Sequence, residues 1–140
     1  MAPDGGDDFE RFFRATLPRA LAVARRIVAD STTAEDIAAE AFARAYAHWR
    51  RVRKHPAPDA WVLRVTTNLA IDHVRRRPVS VEPVDVDPSD AAATRLALAE
   101  ALRQLPARQR DVTVLRYLAD WPEAKVASAL GISAGSVKTH

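Results

Sequence analysis

The amino-acid sequence predicts an all-α protein: two small helical domains joined by an acidic, Pro-containing linker, the second domain carrying a helix-turn-helix. Three observations predict it. Gly is scarce, 4 in 140 residues, while Ala and Arg abound, so little interrupts a helix. Apolar residues recur at three- and four-residue intervals over long stretches. The longest interruption, PVSVEPVDVDPSD at 78–90, carries three Pro, a density that denies it a helix. Its alternating Val are compatible with a strand, but Pro and Asp favour an extended linker. The domains are therefore expected at 1–77 and 92–140, with the linker at 78–91.

The first domain opens with DDFERFFRATLPRALAVARRIVAD. Phe9, Phe13, Leu17, Leu21 and Ala24 form a four-residue ladder, flanked by Phe12, Ala20 and Ile27. Pro18 is expected to kink or restart this helix, because it lacks the N–H that a helix interior needs. A second helix follows in STTAEDIAAEAFARAYAHWRRVRKH. Thr32 or Thr33 is the expected cap, and Glu35 and Asp36 suit the positive end of the helix. Ala38, Phe42, Ala45, Tyr46 and Trp49 are expected to be buried, leaving Asp36, Glu40, Ala43, Arg44 and Ala47 on the outer face. PAPD then breaks the chain, and AWVLRVTTNLAIDHVRRR forms a third helix.

The second domain reads as four short helices. SDAAATRLALAEALRQL comes first, Pro106 opens PARQRDVTVLRYLAD, Pro122 takes the first helical position of PEAKVASALG, and a last helix begins after Ser133.

Composition narrows the chemistry. Hydrophobic residues are 48% and charged residues 28%, ordinary globular proportions. With no Cys, disulfides and thiolate metal sites are excluded. The four His are scattered, and none pairs at a helical metal-ligand spacing, so neither a metal nor another cofactor is expected. No catalytic residues are assigned and no enzyme is expected: the sequence offers no Gly-rich phosphate loop, no His–carboxylate pair and no activated nucleophile. No apolar run is long enough to cross a membrane, and MAPDGGDDF lacks the basic-then-apolar order of a secretion signal, so a cytoplasmic protein is expected. Charge is unevenly placed. Residues 1–77 hold 14 basic and 10 acidic side chains, residues 78–92 hold 4 acidic and none basic, and residues 93–140 hold 7 and 4. Two mildly basic blocks flanking an acidic strip permit nucleic-acid binding without establishing it.

Two stretches carry more specific chemistry. On an ideal helix, Arg75, Asn68, Trp61 and Asp72 fall within roughly 80° of Arg64 on one side. Val62, Leu63, Val65, Leu69, Ala70 and Val74 occupy the opposite half. Arg binds phosphate, Asn pairs with a base edge and Trp stacks on an unpaired base. The plain alternative is a solvated surface face, with Trp61 at the edge of the core. In EAKVASALGISAGSVKTH, Ala127, Gly131 and Val137 have the spacing of a helix-turn-helix. The small residue lets two helices approach, Gly takes a left-handed turn, and the branched residue packs back with Val126, Leu130 and Ile132. Ser133 caps the second helix, and Ser136, Lys138, Thr139 and His140 supply its outward polar groups.

Taken in order, these stretches resemble a bacterial RNA polymerase sigma factor of the extracytoplasmic-function type, within the sigma-70 family. TTAEDIAAEAFARAYAHW resembles the helix that docks on the polymerase clamp. APDAWVLRVTTNLAIDHVRRR resembles the helix that melts and reads the upstream promoter element. ALRQLPARQRDVTVLRYLADWPEAKVASALGISAGSVKTH resembles the domain that reads the farther element. The resemblance implies that Asp36, Glu40 and Arg44 face the clamp of the β′ subunit. It also implies that Asn68 and Asp72 read a flipped base with Trp61, Arg64, Arg75 and Arg76 nearby, and that Ser136, Lys138, Thr139 and His140 meet duplex DNA. Core RNA polymerase and promoter DNA are the implied partners, with room for an anti-sigma factor and no role for a membrane. Ala39 departs from the family pattern, which favours Gln there, and LADWPEAKVA replaces its commoner acidic, hydroxyl-bearing approach. The resemblance further implies a recognition helix running past His140, of which this sequence carries the first turns. The alternative function is a helix-turn-helix regulator acting without sigma activity. It would use 106–140 and leave both the Trp61–Arg75 stripe and the Asp36–Arg44 face without a task.

Overall fold

The computed structural model describes residues 5–76 and 89–139, and every regular element among them is helical. The extended strip expected at 78–88 and the terminal His140 lie outside those residues. The first lobe comprises α1 (Gly5–Ile27), α2 (Ser31–Ala47), the single turn α3 (Trp49–Val52) and α4 (Pro58–Arg76). The second comprises α5 (Ser89–Gln104), α6 (Ala107–Thr113), α7 (Glu123–Leu130) and α8 (Ala134–Thr139). Ser89–Ala91, counted with the linker in the domain division, already belong to α5.

α1 begins with Asp7 and Asp8 and ends with Arg25 and Arg26, each pair opposing the nearer pole of the helix dipole. Ala20, Val23, Ala24 and Ile27 are wholly buried, and Phe9, Phe12, Phe13, Leu17 and Leu21 pack beside them. The expected break at Pro18 does not occur, since α1 runs through it. Pro18 and Arg14 are both on the exposed side, so water can reach the Arg14 carbonyl that loses its partner.

α2 starts earlier than the Thr caps expected of it. Asp30 is the cap: its carboxylate accepts from the Thr33 backbone N–H at 2.9 Å and from the Thr33 hydroxyl at 2.8 Å. Ala34, Ile37, Ala38, Ala41, Phe42 and Ala45 are buried. Tyr46 is not. It was expected in the core, yet it is 61% exposed and only its ring edge meets Phe9, at 5.0 Å between centroids. The helix ends at Ala47, and Trp49 turns back from α3 to fill the place, 5.2 Å from Phe9 and 5.1 Å from Phe12. On α4, Val62, Leu63 and Ala70 are buried as expected, with Val65, Leu69 and Val74 packed at the margin. Thr66 and Thr67 are buried as well. Each hydroxyl donates to a carbonyl one turn back, Val62 and Leu63 respectively, at 2.8 Å. Burial therefore strands no donor.

In the second lobe Pro106 and Pro122 stand at the caps of α6 and α7, so Pro122 sits one position ahead of the helical start expected for it. α6 runs into a π-helical turn, Val114–Leu118, closed by the Ala119 N–H donating to the Val114 carbonyl at 2.9 Å. Asp120 then takes a left-handed conformation with φ 59°, which reverses the chain and buries Trp121. The Lys125 ammonium lies over the Trp121 ring, 4.1 Å from its centroid.

The lobes are not held apart. α5 packs along α4 and touches α1, the π-helical turn contacts α1 and α4, and the buried residues of both lobes form one continuous core.

Candidate nucleic-acid interface

The polar stripe of α4 exists, and it faces the second lobe. Trp61 is half-buried at the core edge, whereas Arg64, Asn68, Asp72, Arg75 and Arg76 are exposed to different degrees. Arg64 forms a two-pronged pair with Asp111 of α6. Nη2 donates to Oδ2 at 2.6 Å and Nε to Oδ1 at 3.2 Å. The Asp111 side chain is 11% exposed against 50% for Arg64, so the carboxylate is the buried partner. Asn68 accepts from Arg110 Nη1 at 3.3 Å through its side-chain oxygen. Arg110 is itself anchored by donating to the carbonyls of Leu102, Arg103 and Leu105 as α5 ends. Farther along, Arg75 Nε donates to Glu100 Oε2 at 3.0 Å, while Arg103 donates twice to Glu100 Oε1 at 3.2 Å. The hydrogen bond from Arg75 is the largest influence on Glu100 and holds its carboxyl below the ordinary glutamate value, helped by Arg103. At the start of α4, Asp59 pairs with Lys125 of α7 at 3.6 Å. Arg26 of α1 reaches the Tyr117 carbonyl at 3.4 Å and Asp120 at 3.9 Å.

The sequence reading therefore found the stripe but not its counterparts. Asp111, Arg110 and Glu100 stand 47, 42 and 25 positions from the stripe residues they hold, beyond any helical periodicity.

The helix-turn-helix has the geometry its spacing calls for. Gly131 ends α7 in the left-handed conformation, φ 69°. The backbone N–H groups of Gly131 and Ile132 both turn back to the Ala127 carbonyl. Val126 and Val137 are buried, with Ala127, Leu130 and Ile132 packed around them. Ser133 caps α8, its hydroxyl accepting the Ser136 N–H at 3.1 Å. Arg108 donates to the Leu130 carbonyl and ties the end of α7 to α6. Ser136 is half-buried, Lys138 is exposed, and Thr139 is the last residue of α8.

On the far side of the first lobe, Asp36, Glu40 and Arg44 are exposed at four-residue intervals along α2. Arg44 pairs with Glu40 at 3.0 Å, and Ala39, Ala43 and Ala47 beside them leave the ridge low and uncrowded. The first lobe thus presents two polar surfaces, one open to solvent and one under the second lobe. Among the described residues no His, Cys, Asp and Glu gather to hold a metal ion, and no helix is long and apolar enough to cross a membrane.

Comparison with known proteins assigns both lobes. Residues 12–78 match the family description Sigma-70 region 2, and residues 95–140 match Sigma-70, region 4. The RNA polymerase sigma-E factor of Streptomyces coelicolor is 32% identical over 139 residues, covering 94% of this chain and 78% of that protein. The ECF RNA polymerase sigma factor SigL of Mycobacterium tuberculosis is 34% identical over 129 residues, covering 84% and 73%. Among solved structures, the sigma factor RpoE in complex with the anti-sigma factor NepR from Bartonella quintana shares the fold. Its TM-score is 0.53 at 21% identity, over 94% of this chain and 88% of that one.

Proposed function

The chain belongs to the sigma-70 family, and on that premise we propose how its surfaces divide the work of a sigma factor. The protein directs RNA polymerase to promoters and starts DNA-templated transcription, the catalysis belonging to the polymerase. The observation that carries this reading is the order of regions 2 and 4 in one chain. A helix-turn-helix regulator working without polymerase would account for the second match and leave the first without a purpose.

In this reading residues 1–77 hold polymerase and open the duplex, 78–91 span between sites, and 92–140 grip duplex DNA. The ridge of Asp36, Glu40 and Arg44 docks on the β′ clamp, supported by its exposure and by the packed Phe42 face behind it. Asn68 and Asp72 read an unstacked base of the upstream element. Trp61 offers a stacking edge, and Arg64, Arg75 and Arg76 hold phosphates. Capturing that base costs a few kcal/mol of unstacking, which the anchoring of the second lobe on duplex DNA helps offset. Ser136, Lys138, Thr139 and His140 contact the farther element from the first turns of the recognition helix. The protein would act in the cytoplasm, where polymerase works. An anti-sigma factor is a plausible third partner, because the fold neighbour RpoE was solved with one.

The test is transcription with purified core polymerase and the purified chain on a promoter selected from genomic fragments. Polymerase capture with promoter-specific initiation is the expected result. Duplex binding with no capture of core polymerase would favour the regulator.

A further inference from the structure

On the basis of the α4 role proposed above, we infer that the two lobes form a self-closing latch. Asp111 and Glu100 occupy Arg64 and Arg75 as DNA phosphates would, so the free chain holds its reading stripe already engaged. A guanidinium presents a planar fork of N–H donors that fits a carboxylate or a phosphate in the same paired way. Arg64 spends two donors of that fork on Asp111, and Arg75 spends its Nε on Glu100. Asn68, whose side-chain amide would pair with a base, has its oxygen engaged by Arg110. These three residues lie on one face of α4, and all three hold partners from α5 or α6 of the other lobe.

The closure is selective. Asp36, Glu40 and Arg44 stay exposed on α2, so a latched chain still offers its proposed polymerase surface. DNA meets the opposite situation. To reach Arg64 and Arg75, a phosphate must displace carboxylates that also repel it, and Asp111 is too buried to move aside without parting the lobes. The stripe is therefore free only in the open fraction of molecules, and its apparent affinity for DNA is scaled down by that fraction. The same contacts suppress non-specific binding by the uncomplexed chain, whose formal charge of +3 would otherwise favour it.

The chain has no Cys, so Ala15→Cys on α1 and Ser128→Cys on α7, both exposed, give unique dye sites for energy transfer between the lobes. Asp111→Arg sets two guanidinium groups face to face and is expected to shift molecules to a low-transfer, open population. Adding Arg64→Glu restores an ion pair of reversed sense and should return the high-transfer population. No shift with Asp111→Arg, or no recovery in the double variant, would overturn the latch without reference to DNA. The second arm measures binding of a fluorescein-labelled single-stranded oligonucleotide. Asp111→Asn with Glu100→Gln should bind about tenfold tighter than wild type, the gain expected if a tenth of free molecules are open. Glu10→Gln with Glu35→Gln removes the same charge from exposed sites away from the stripe. A gain no larger than in this control would overturn masking. Loss of the α4 reading itself would appear separately, as unchanged open-complex formation by Asn68→Ala with polymerase. The energy-transfer result would stand or fall independently of it.

Discussion

Arg64 and Asp111, 47 positions apart, form a two-pronged ion pair across the lobes in which the acid is buried and the base is half-exposed. The asymmetry makes the two truncations unequal. Asp111→Ala leaves a guanidinium that water can solvate, at a cost of about 1 kcal/mol. Arg64→Ala leaves a carboxylate under the second lobe with no cation, at a cost of roughly 2–3 kcal/mol unless the lobes separate to hydrate it. Urea unfolding followed by tryptophan fluorescence should place the Arg64→Ala midpoint below that of Asp111→Ala. The reverse order would mean that the carboxylate is better solvated than its burial implies.

Glu100 gives the closed arrangement a pH dependence with a definite sign. Its carboxyl is held below the ordinary value of 4.5, chiefly by the hydrogen bond from Arg75. The folded state thus favours the ionised form, and the stabilisation is complete above the unfolded value and lost as pH falls through the lowered folded one. Wild type should be more stable than Glu100→Gln at neutral pH, and the gap should close in acid well below 4.5. The check is the unfolding midpoint of both proteins across that range. A gap that widens toward acid would contradict the Arg75 contact.

The α2 ridge makes a prediction independent of the latch. Asp36→Lys with Glu40→Lys reverses two exposed charges and removes the Glu40–Arg44 pair, at a cost of about 0.3–0.5 kcal/mol to the helix. Helicity by circular dichroism should be unchanged, while affinity for core polymerase falls by an order of magnitude or more, about 1.4 kcal/mol. Retained affinity would remove the ridge from the polymerase interface.

Local chemistry was legible in the sequence, and long-range pairing was not. The Gly131 turn, the Ser133 cap and the buried Val126 and Val137 follow from spacing within one hairpin. The face of α4 that buries Val62, Leu63 and Ala70 follows from helical period. Tyr46 failed because periodicity extends a face past the end of a helix, and it cannot see Trp49 return from α3 to take the space. Thr66 and Thr67 failed because polarity argued for solvent, while their hydroxyls were satisfied one turn back. The Asp30 cap lost to Thr in the reading because the helix was taken to begin a turn too late. Asp111 and Glu100 bear on the stripe only once α5 and α6 fold onto α4. Nothing within either lobe records that docking, and the candidate stripe was therefore read as open.

Asn68→Ala separates base reading from DNA attachment. The amide oxygen is held by Arg110 in the closed chain, so its loss should slightly loosen the lobes and cannot tighten them. With polymerase, open complexes should form less readily on duplex promoters, by the roughly 1–3 kcal/mol of a paired base contact. Promoters pre-melted and altered at the upstream element should be nearly unaffected. Potassium permanganate reactivity of unpaired thymines measures both. Equal reactivity of mutant and wild type on the intact duplex would exclude Asn68 from the reading.

Gly131 offers the sharpest test of the helix-turn-helix. Its φ of 69° lies where an L side chain strains the backbone, yet a Cβ built there would meet nothing within 4 Å. The cost of Gly131→Ala is therefore conformational alone, about 1–2 kcal/mol, and Gly131→Asn should cost less because Asn tolerates the left-handed region. The strain falls where α7 hands over to α8, so it can be relieved only by changing the angle between them. That moves Lys138 and the Ser133 cap together, away from the duplex. Binding to core polymerase rests on α2 of the other lobe and should not change. Footprinting over the farther promoter element should show protection weakened in the order Asn, then Ala, with wild type strongest. Equal protection in all three, alongside a measured loss of stability, would show that the turn supports the fold without setting the angle at which the lobe meets DNA.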